Sequence, residues 1–445
     1  MSRRCGLDVQ VTDDADADDG NNSDDADDSM TPMSPMTPAI PDLGVLDSTA
    51  GFLADGYEFG RRRFARVRGD AFRTRLMGRP VIVLFGAEAA RRFGDGHHFS
   101  RERALPSTVQ HLLQDKGSVQ TLQDDQHHHR KSLFIEVLRP AQLERLRAAF
   151  AAEWREALSN AHGAPIAVAD ASAIALTRAI LAWSGIPPER VHTDRLSEHL
   201  VAMIDNAAKL GPSHWRARLM RRRTERWAAQ VIEAVRAGRM PVASDAPIAA
   251  LARHTDATGH PLALDIAAVE LLNLLRPTVA VSRFLAFTAL ALIEHPEWCT
   301  RIRDGADVAW FVNEVRRTAP FFPVVGGTAR SPFEWRGGRI AAGDWVLLDL
   351  WATNHDPRSW TAPDHFEPDR FAGWSGDVNT LIPQGAGSLE EDHRCPGEGA
   401  TITLMGEFAR SFCAGEVHVP EQDFTVDRRR FPAMPADHVR VAFTA

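Results

Sequence analysis

Apolar positions along the chain follow three different rhythms. Up to residue 41 there is none, only a Ser/Asp/Asn run followed by MTPMSPMTPAIPDL, and this composition predicts a disordered, solvated tail over 1–41 ahead of a folded domain over 42–445. RTRLMGRPVIVLFG (Arg73 to Gly86) reads as two β-type runs around a Gly-Arg-Pro turn, and AEAARRFGD after it as a short helix. From about Ala104 to Ile302 the spacing is almost wholly helical, in segments such as PAQLERLRAAFAAEWREALSNA and the basic amphipathic stretch Trp215 to Arg236. Between Phe333 and Pro357, Gly turns alternate with apolar β runs; a Pro-rich irregular stretch then reaches Phe371, and a last helix is expected just after Cys395. With no internal repeat and no linker, the pattern predicts one mainly α domain, a large helical body with small β-sheets.

The longest apolar tract, Leu271 to Ile293, is interrupted by Arg276, Pro277 and Arg283, which favours a buried core helix over a membrane span. Composition refines this picture in two places. The net charge of -8 belongs to the tail, where residues 1–30 hold ten Asp against Arg3 and Arg4; the rest carries 49 basic and 49 acidic side chains. A balanced body argues against nucleic acid and membrane partners and for a small ligand. Four widely spaced cysteines, Cys5, Cys299, Cys395 and Cys413, do not read as a secreted disulfide framework, so a cytoplasmic location is expected.

Candidate chemistry concentrates around Leu381-Ile-Pro-Gln-Gly-Ala-Gly-Ser-Leu-Glu-Glu-Asp-His-Arg394-Cys395-Pro-Gly-Glu398, a Gly-bearing loop that delivers one cysteine to a helix start. Backbone N–H groups and the positive helix end favour a thiolate there. A lone Cys-Pro-Gly is more often a buried free cysteine. Two upstream pieces change the weighing: Glu314-Val-Arg-Arg317, whose Glu314 and Arg317 share a helix face, and Phe366-Glu-Pro-Asp-Arg370-Phe371, whose Arg370 could join them in a buried ion cluster.

In this order, with NHDP at Asn354 to Pro357 between them, the motifs resemble the cytochrome P-450 superfamily from Leu43 to the C-terminus. The resemblance implies the cytochrome P-450 fold, with heme b buried between a long central helix and the cysteine-ligand loop, Cys395 as the iron ligand, and Glu314, Arg317 and Arg370 as a structural cluster. It further implies cofactor contacts from Arg101, His127, Lys131 and Arg394. His127 and Lys131 lie four apart on one face, whereas three successive histidines make a poor metal site by themselves.

The central helix reads Leu274-Leu-Arg276-Pro277-Thr278 where a redox-partner-driven member usually has an acid-alcohol pair. With TVAVSRFLAFTALAL after it and HRCPGE in the ligand loop, it is similar to the fatty-acid peroxygenase branch. That resemblance implies that hydrogen peroxide is used directly. The fatty-acid carboxylate, held by Arg276, supplies the missing acid-base group and sets the α or β carbon for hydroxylation. Pro277, which cannot donate to the Asn273 carbonyl, is expected to kink the helix. Gln120 stands where decarboxylating members carry a histidine, which favours hydroxylation over alkene formation, and Leu113, Phe321 and Phe322 are candidate walls of the fatty-acid channel.

Other readings stay open at this point. Arg276 could form a structural salt bridge inside the helix bundle. The protein could be a monooxygenase fed by a redox partner, against which Arg276-Pro277 counts, or a heme-thiolate sensor that consumes peroxide without coupled product. A helical scaffold with a merely buried cysteine fits the ordered motifs worst.

Overall fold

The computed structural model describes residues 40–102, 104–115 and 117–444. Of the tail expected over residues 1–41, residues 1–39 lie outside them. The folded body takes in two residues assigned to that tail: Ile40 is buried, and the Pro41 carbonyl accepts from the Arg73 N–H at 2.7 Å beside an Asp42–Arg73 bridge. Ala39 and Ile40 between two prolines are too short a run to carry a periodicity that could have marked this contact.

One sheet has strand order β1-β2-β5-β4-β3, built from β1 (Ala71–Leu76), β2 (Arg79–Leu84), β3 (Phe99–Ser100), β4 (Val324–Ala329) and β5 (Trp345–Asp349). β1 and β2 form the expected antiparallel hairpin with Ala71 opposite Leu84, and β2 then runs parallel to β5 with Val83 opposite Leu347. On the other side of β5, β4 pairs with it antiparallel, Thr328 opposite Trp345.

The helical body contains α1 (Asp124–Val137), α2 (Pro140–Ala161), α3 (Val168–Ser184), α4 (Thr193–Asp205), α5 (Pro212–Arg236), α6 (Leu264–Glu294), α7 (Glu297–Arg303), α8 (Val308–Thr318) and α9 (Glu398–Ala414). α6 is the axis of the body, packed against α3, α5 and α9. Its length and composition would suit a membrane span, but 83% of its most apolar window is buried inside the protein. This is the behaviour of a helix that is apolar all round and lies in a core. Pro277 lies within α6 without ending it.

Two local outcomes differ from the sequence expectation. The run after β5 is not strand throughout: Leu350–Asn354 is a short helix, because the buried Asp349 carboxylate accepts from the Ala352 N–H at 2.7 Å and caps it. Cys299 on α7 and Cys413 in the last turn of α9 form a disulfide, with Cα atoms 4.9 Å apart. A separation of 114 residues offers no local sign of that pairing. Cys395 is free.

Candidate active site

Cys395 sits in the loop that ends at α9, fixed at both sides by backbone: its N–H donates to the Gln384 carbonyl at 3.1 Å, and its carbonyl accepts from the Glu398 N–H at 3.3 Å. Burial pushes the thiol up, with Glu398 adding to that, while the Gly397 N–H and the Lys131 ammonium favour the thiolate. The loop is braced from behind by buried Arg316, which donates to Gln384 Oε1 at 3.1 Å and pairs with Glu398. Arg394 is turned to the same carboxylate, Nε to Oε2 at 2.6 Å, so the structure places its guanidinium in this brace.

Around the loop lies an enclosed cluster of cations with only neutral partners. Lys131, 1% exposed, donates to the carbonyls of Asp392 and Arg394, and burial pushes its ammonium down to about 8. Arg101 donates to the carbonyls of Gly326 at 2.8 Å and Phe93 at 3.3 Å, and burial pushes it down to about 10. His127 stacks on His393 at 3.9 Å, both held neutral by burial and the neighbouring cations. Neither Arg101 nor Lys131 is in an ion pair with a carboxylate among the described residues. A donor set of this kind, a cysteine sulfur beside cations whose hydrogen-bond partners are backbone carbonyls, fits heme b with its two propionates.

The α6 side is organised by a chain of polar side chains. Arg276, 4% exposed, donates from Nη2 to the Leu113 carbonyl and to Asn273 Oδ1 at 3.1 Å, and from Nη1 to the Leu112 carbonyl at 3.4 Å. No carboxylate among the described residues pairs with it, and burial together with the charge of Arg221 pushes it down to about 9. Asn273 Nδ2 donates in turn to Gln120 Oε1 at 3.2 Å and to Glu270 Oε2 at 2.9 Å. Glu270 Oε1 accepts from the Val119 N–H at 2.8 Å and from Arg130 at 2.7 Å. Pro277 is exposed although the residues flanking it on α6 are buried.

Glu314, Arg317 and Arg370 are brought together. Arg317 grips Glu314 with two bonds of 2.7 Å, both side chains wholly buried, and Arg370 Nε reaches Glu314 Oε1 at 3.1 Å. Arg317 also donates to the carbonyls of Asn354, Pro363 and His365, which pins the irregular stretch. Phe321 packs on Phe284 of α6 and on exposed Phe322, at 4.9 and 4.5 Å, while Leu113 meets the site through its carbonyl to Arg276.

Sequence reasoning missed Glu270, Asn273 and Arg130, and on the cysteine side Arg316 and Glu398. A signal existed for two of them: Glu270, Asn273 and Arg276 recur every third position through an otherwise apolar helix, which places them along one face.

The Cytochrome P450 family profile matches residues 308–404. Among curated proteins, rhazimal synthase of Alstonia scholaris is 30% identical over 157 residues, 30% of this chain and 30% of that protein, and trimethyltridecatetraene synthase of Zea mays is 35% identical over 26% of this chain and 22% of that protein. The chain thus matches less than a third of the length of these relatives. Solved structures match along nearly their full length. Cytochrome P450EX alpha with myristic acid superposes with a TM-score of 0.88 at 34% identity, covering 92% of this chain and 99% of that one. Cytochrome P450SP alpha in complex with (R)-ibuprophen gives 0.86 at 37% identity, with 89% and 98% covered. A variant of cytochrome P450 OleT with arachidonic acid gives 0.88 at 29% identity, with 92% and 99% covered.

Proposed function

This chain belongs to the cytochrome P450 superfamily, within it to the fatty-acid peroxygenase branch, and from that premise we propose that it hydroxylates fatty acids at the α or β carbon with hydrogen peroxide and no redox partner. The observation that carries the proposal is Arg276: a buried guanidinium on the central helix that meets no carboxylate among the described residues and neighbours the exposed Pro277. A structural salt bridge, the other reading of this residue, finds no partner there. Three of its five N–H donors are used on Leu112, Leu113 and Asn273, which leaves Nε–H and one Nη1–H, on opposite sides of the guanidinium, so that a substrate carboxylate has a free donor to meet.

Cys395, with Arg101, His127 and Lys131, would hold heme b, which would supply the oxidising chemistry. The chain's own residues do the rest. Arg276 fixes the carboxylate so that the first carbons are the ones presented for reaction. The held carboxylate would be the acid-base group for which α6 offers no acid-alcohol pair. Gln120 offers an amide, already accepting from Asn273, and no titrating group, which supports hydroxylation over decarboxylation. Leu113, Phe321 and Phe322 would line the acyl chain. Nucleic acid has no role in this proposal.

The test is heme-loaded protein with myristic acid and hydrogen peroxide in the absence of any reductase, with mass spectrometry of products. Hydroxy acids support the proposal and a one-carbon-shorter alkene shifts it to decarboxylation. Product only on adding an electron donor would make the chain a conventional monooxygenase, and peroxide consumption without product would make it a sensor.

A further inference from the structure

Outside the site, one stretch breaks the even charge of the body. Residues 209–226, the loop before α5 and the first half of that helix, carry seven basic side chains and a single acidic one, Glu225. Arg221 turns inward and pairs with Glu225 at 2.6 Å, and Arg216 pairs with Glu198 at 3.0 Å. Lys209, Arg222, Arg223 and Arg226 are exposed and are in no ion pair among the described residues. Between them stand three large apolar side chains in solvent: Leu210 is 80% exposed, Trp215 64% and Leu219 47%. Trp215, Leu219, Arg222, Arg223 and Arg226 follow a spacing of four, seven, eight and eleven, hence one stripe about 17 Å long on the outer face of α5.

We propose that this stripe, with the Lys209–Leu210 loop, rests on the surface of an anionic lipid bilayer and takes the fatty acid from it. The inference rests on the fatty-acid reading above and adds where the substrate is collected. Charge complementarity selects the occupant: unpaired guanidinium groups suit lipid phosphates, and apolar tips standing singly among them suit the boundary of head groups and acyl chains. An acidic protein partner would set Leu210, Trp215 and Leu219 against carboxylates. The opposite face of α5 explains why this surface would serve the site. Arg221 donates to the Leu112 carbonyl at 2.8 Å, and Arg276 reaches the carbonyls of Leu112 and Leu113, so the helix on the lipid is one layer of side chains from the carboxylate anchor. The contact is peripheral and leaves α6 in the core. It revises the expectation of no membrane partner, which rested on net charge averaged over the whole body.

Heme-loaded protein sedimented with vesicles of phosphatidylcholine, with or without phosphatidylglycerol, tests this. Wild type should pellet with the anionic vesicles and be released at about 0.5 M salt, where screening is short-ranged. The Arg222→Glu, Arg223→Glu, Arg226→Glu triple variant should lose on the order of 100-fold in partitioning, since each basic side chain near an anionic surface contributes about fivefold. Trp215→Ala with Leu219→Ala should weaken binding at every salt concentration. Both variants should turn over octanoic acid in solution as wild type does. The inference is overturned by wild type staying in the supernatant, by equal pelleting of the triple variant, or by capture on an acidic polypeptide with no vesicle binding. Phosphatidylglycerol is not a substrate, so failure of the fatty-acid reading would show in the octanoic acid turnover and not in the pellet.

Discussion

Arg276→Ala separates anchoring from architecture. In the folded chain burial and the charge of Arg221 push the guanidinium down to about 9, so the fold gains little from this cation. The truncation removes a disfavoured charge and in exchange leaves the carbonyls of Leu112 and Leu113 and Asn273 Oδ1 without their donor, so net stability should change little. Catalysis should change a great deal. A charge-assisted hydrogen bond to a substrate carboxylate, about 1.5–3 kcal/mol, puts the loss at roughly 10- to 10²-fold in kcat/KM. The assay is hydroxy-acid formation from myristic acid and peroxide, with the heme spectrum and urea midpoint recorded alongside. Myristic acid methyl ester completes a cycle: wild type on the ester should fall nearly as far as the variant on the acid, and the two losses should not add. Activity within threefold of wild type on the free acid, with an intact heme spectrum, would refute the anchoring argument.

Three further perturbations follow from other parts of the structure. Arg317→Lys cannot reproduce the two-pronged grip on Glu314 and the three carbonyl contacts, and should lower stability by about 3–5 kcal/mol in urea unfolding of the heme-loaded protein; an unchanged midpoint would count against the cluster as a structural element. Glu270→Gln sets an amide N–H against Asn273 Nδ2, which forces Asn273 to flip and turn its own N–H toward Arg276. We expect KM for myristic acid to rise about tenfold, on loss of one to two hydrogen bonds, and an unaltered KM would show that the relay does not orient Arg276. Asp349 is held up at about 7 by burial, whereas its unfolded value is 3.8. The folded state therefore binds more protons between these values, and stability falls as pH rises from 4 through 7. Thermal unfolding of Asp349→Asn should thus gain on wild type between pH 5 and pH 8, and a flat difference would show an ordinary carboxyl.

The parts of the molecule that can be read from the chain are those whose partners are close in sequence or ordered by motif. The Arg73–Gly86 hairpin, the buried central helix and the helix after Cys395 each announce themselves through local periodicity or turn chemistry. Glu314 and Arg317 sit one helical turn apart, and the cysteine loop follows them in fixed order. What stays hidden depends on encounters between distant segments. The parallel contact of β2 with β5 joins residues more than 260 positions apart, and Glu270 reaches Val119 and Arg130 from another element. The Leu350–Asn354 helix is masked because Trp345–Asp349 reads as a strand and the cap residue is also the last strand residue. Ile40 and Pro41 look like tail because binding them to the fold takes Arg73 and Gly338, not neighbours in sequence.

The disulfide between Cys299 and Cys413 makes the segment that carries Cys395 a covalently closed ring. Glu314, Arg317, Arg370 and Cys395 all lie on the segment it encloses. A protease cutting anywhere between residues 300 and 412 would produce a nicked ring and not two fragments, with the severed halves still tethered through α7 and α9. In the unfolded chain the same ring removes about 4–5 kcal/mol of conformational freedom. The Cys395 loop, lying inside the ring, thus stays tethered to the body through α7 and α9 even when the chain is cut within it.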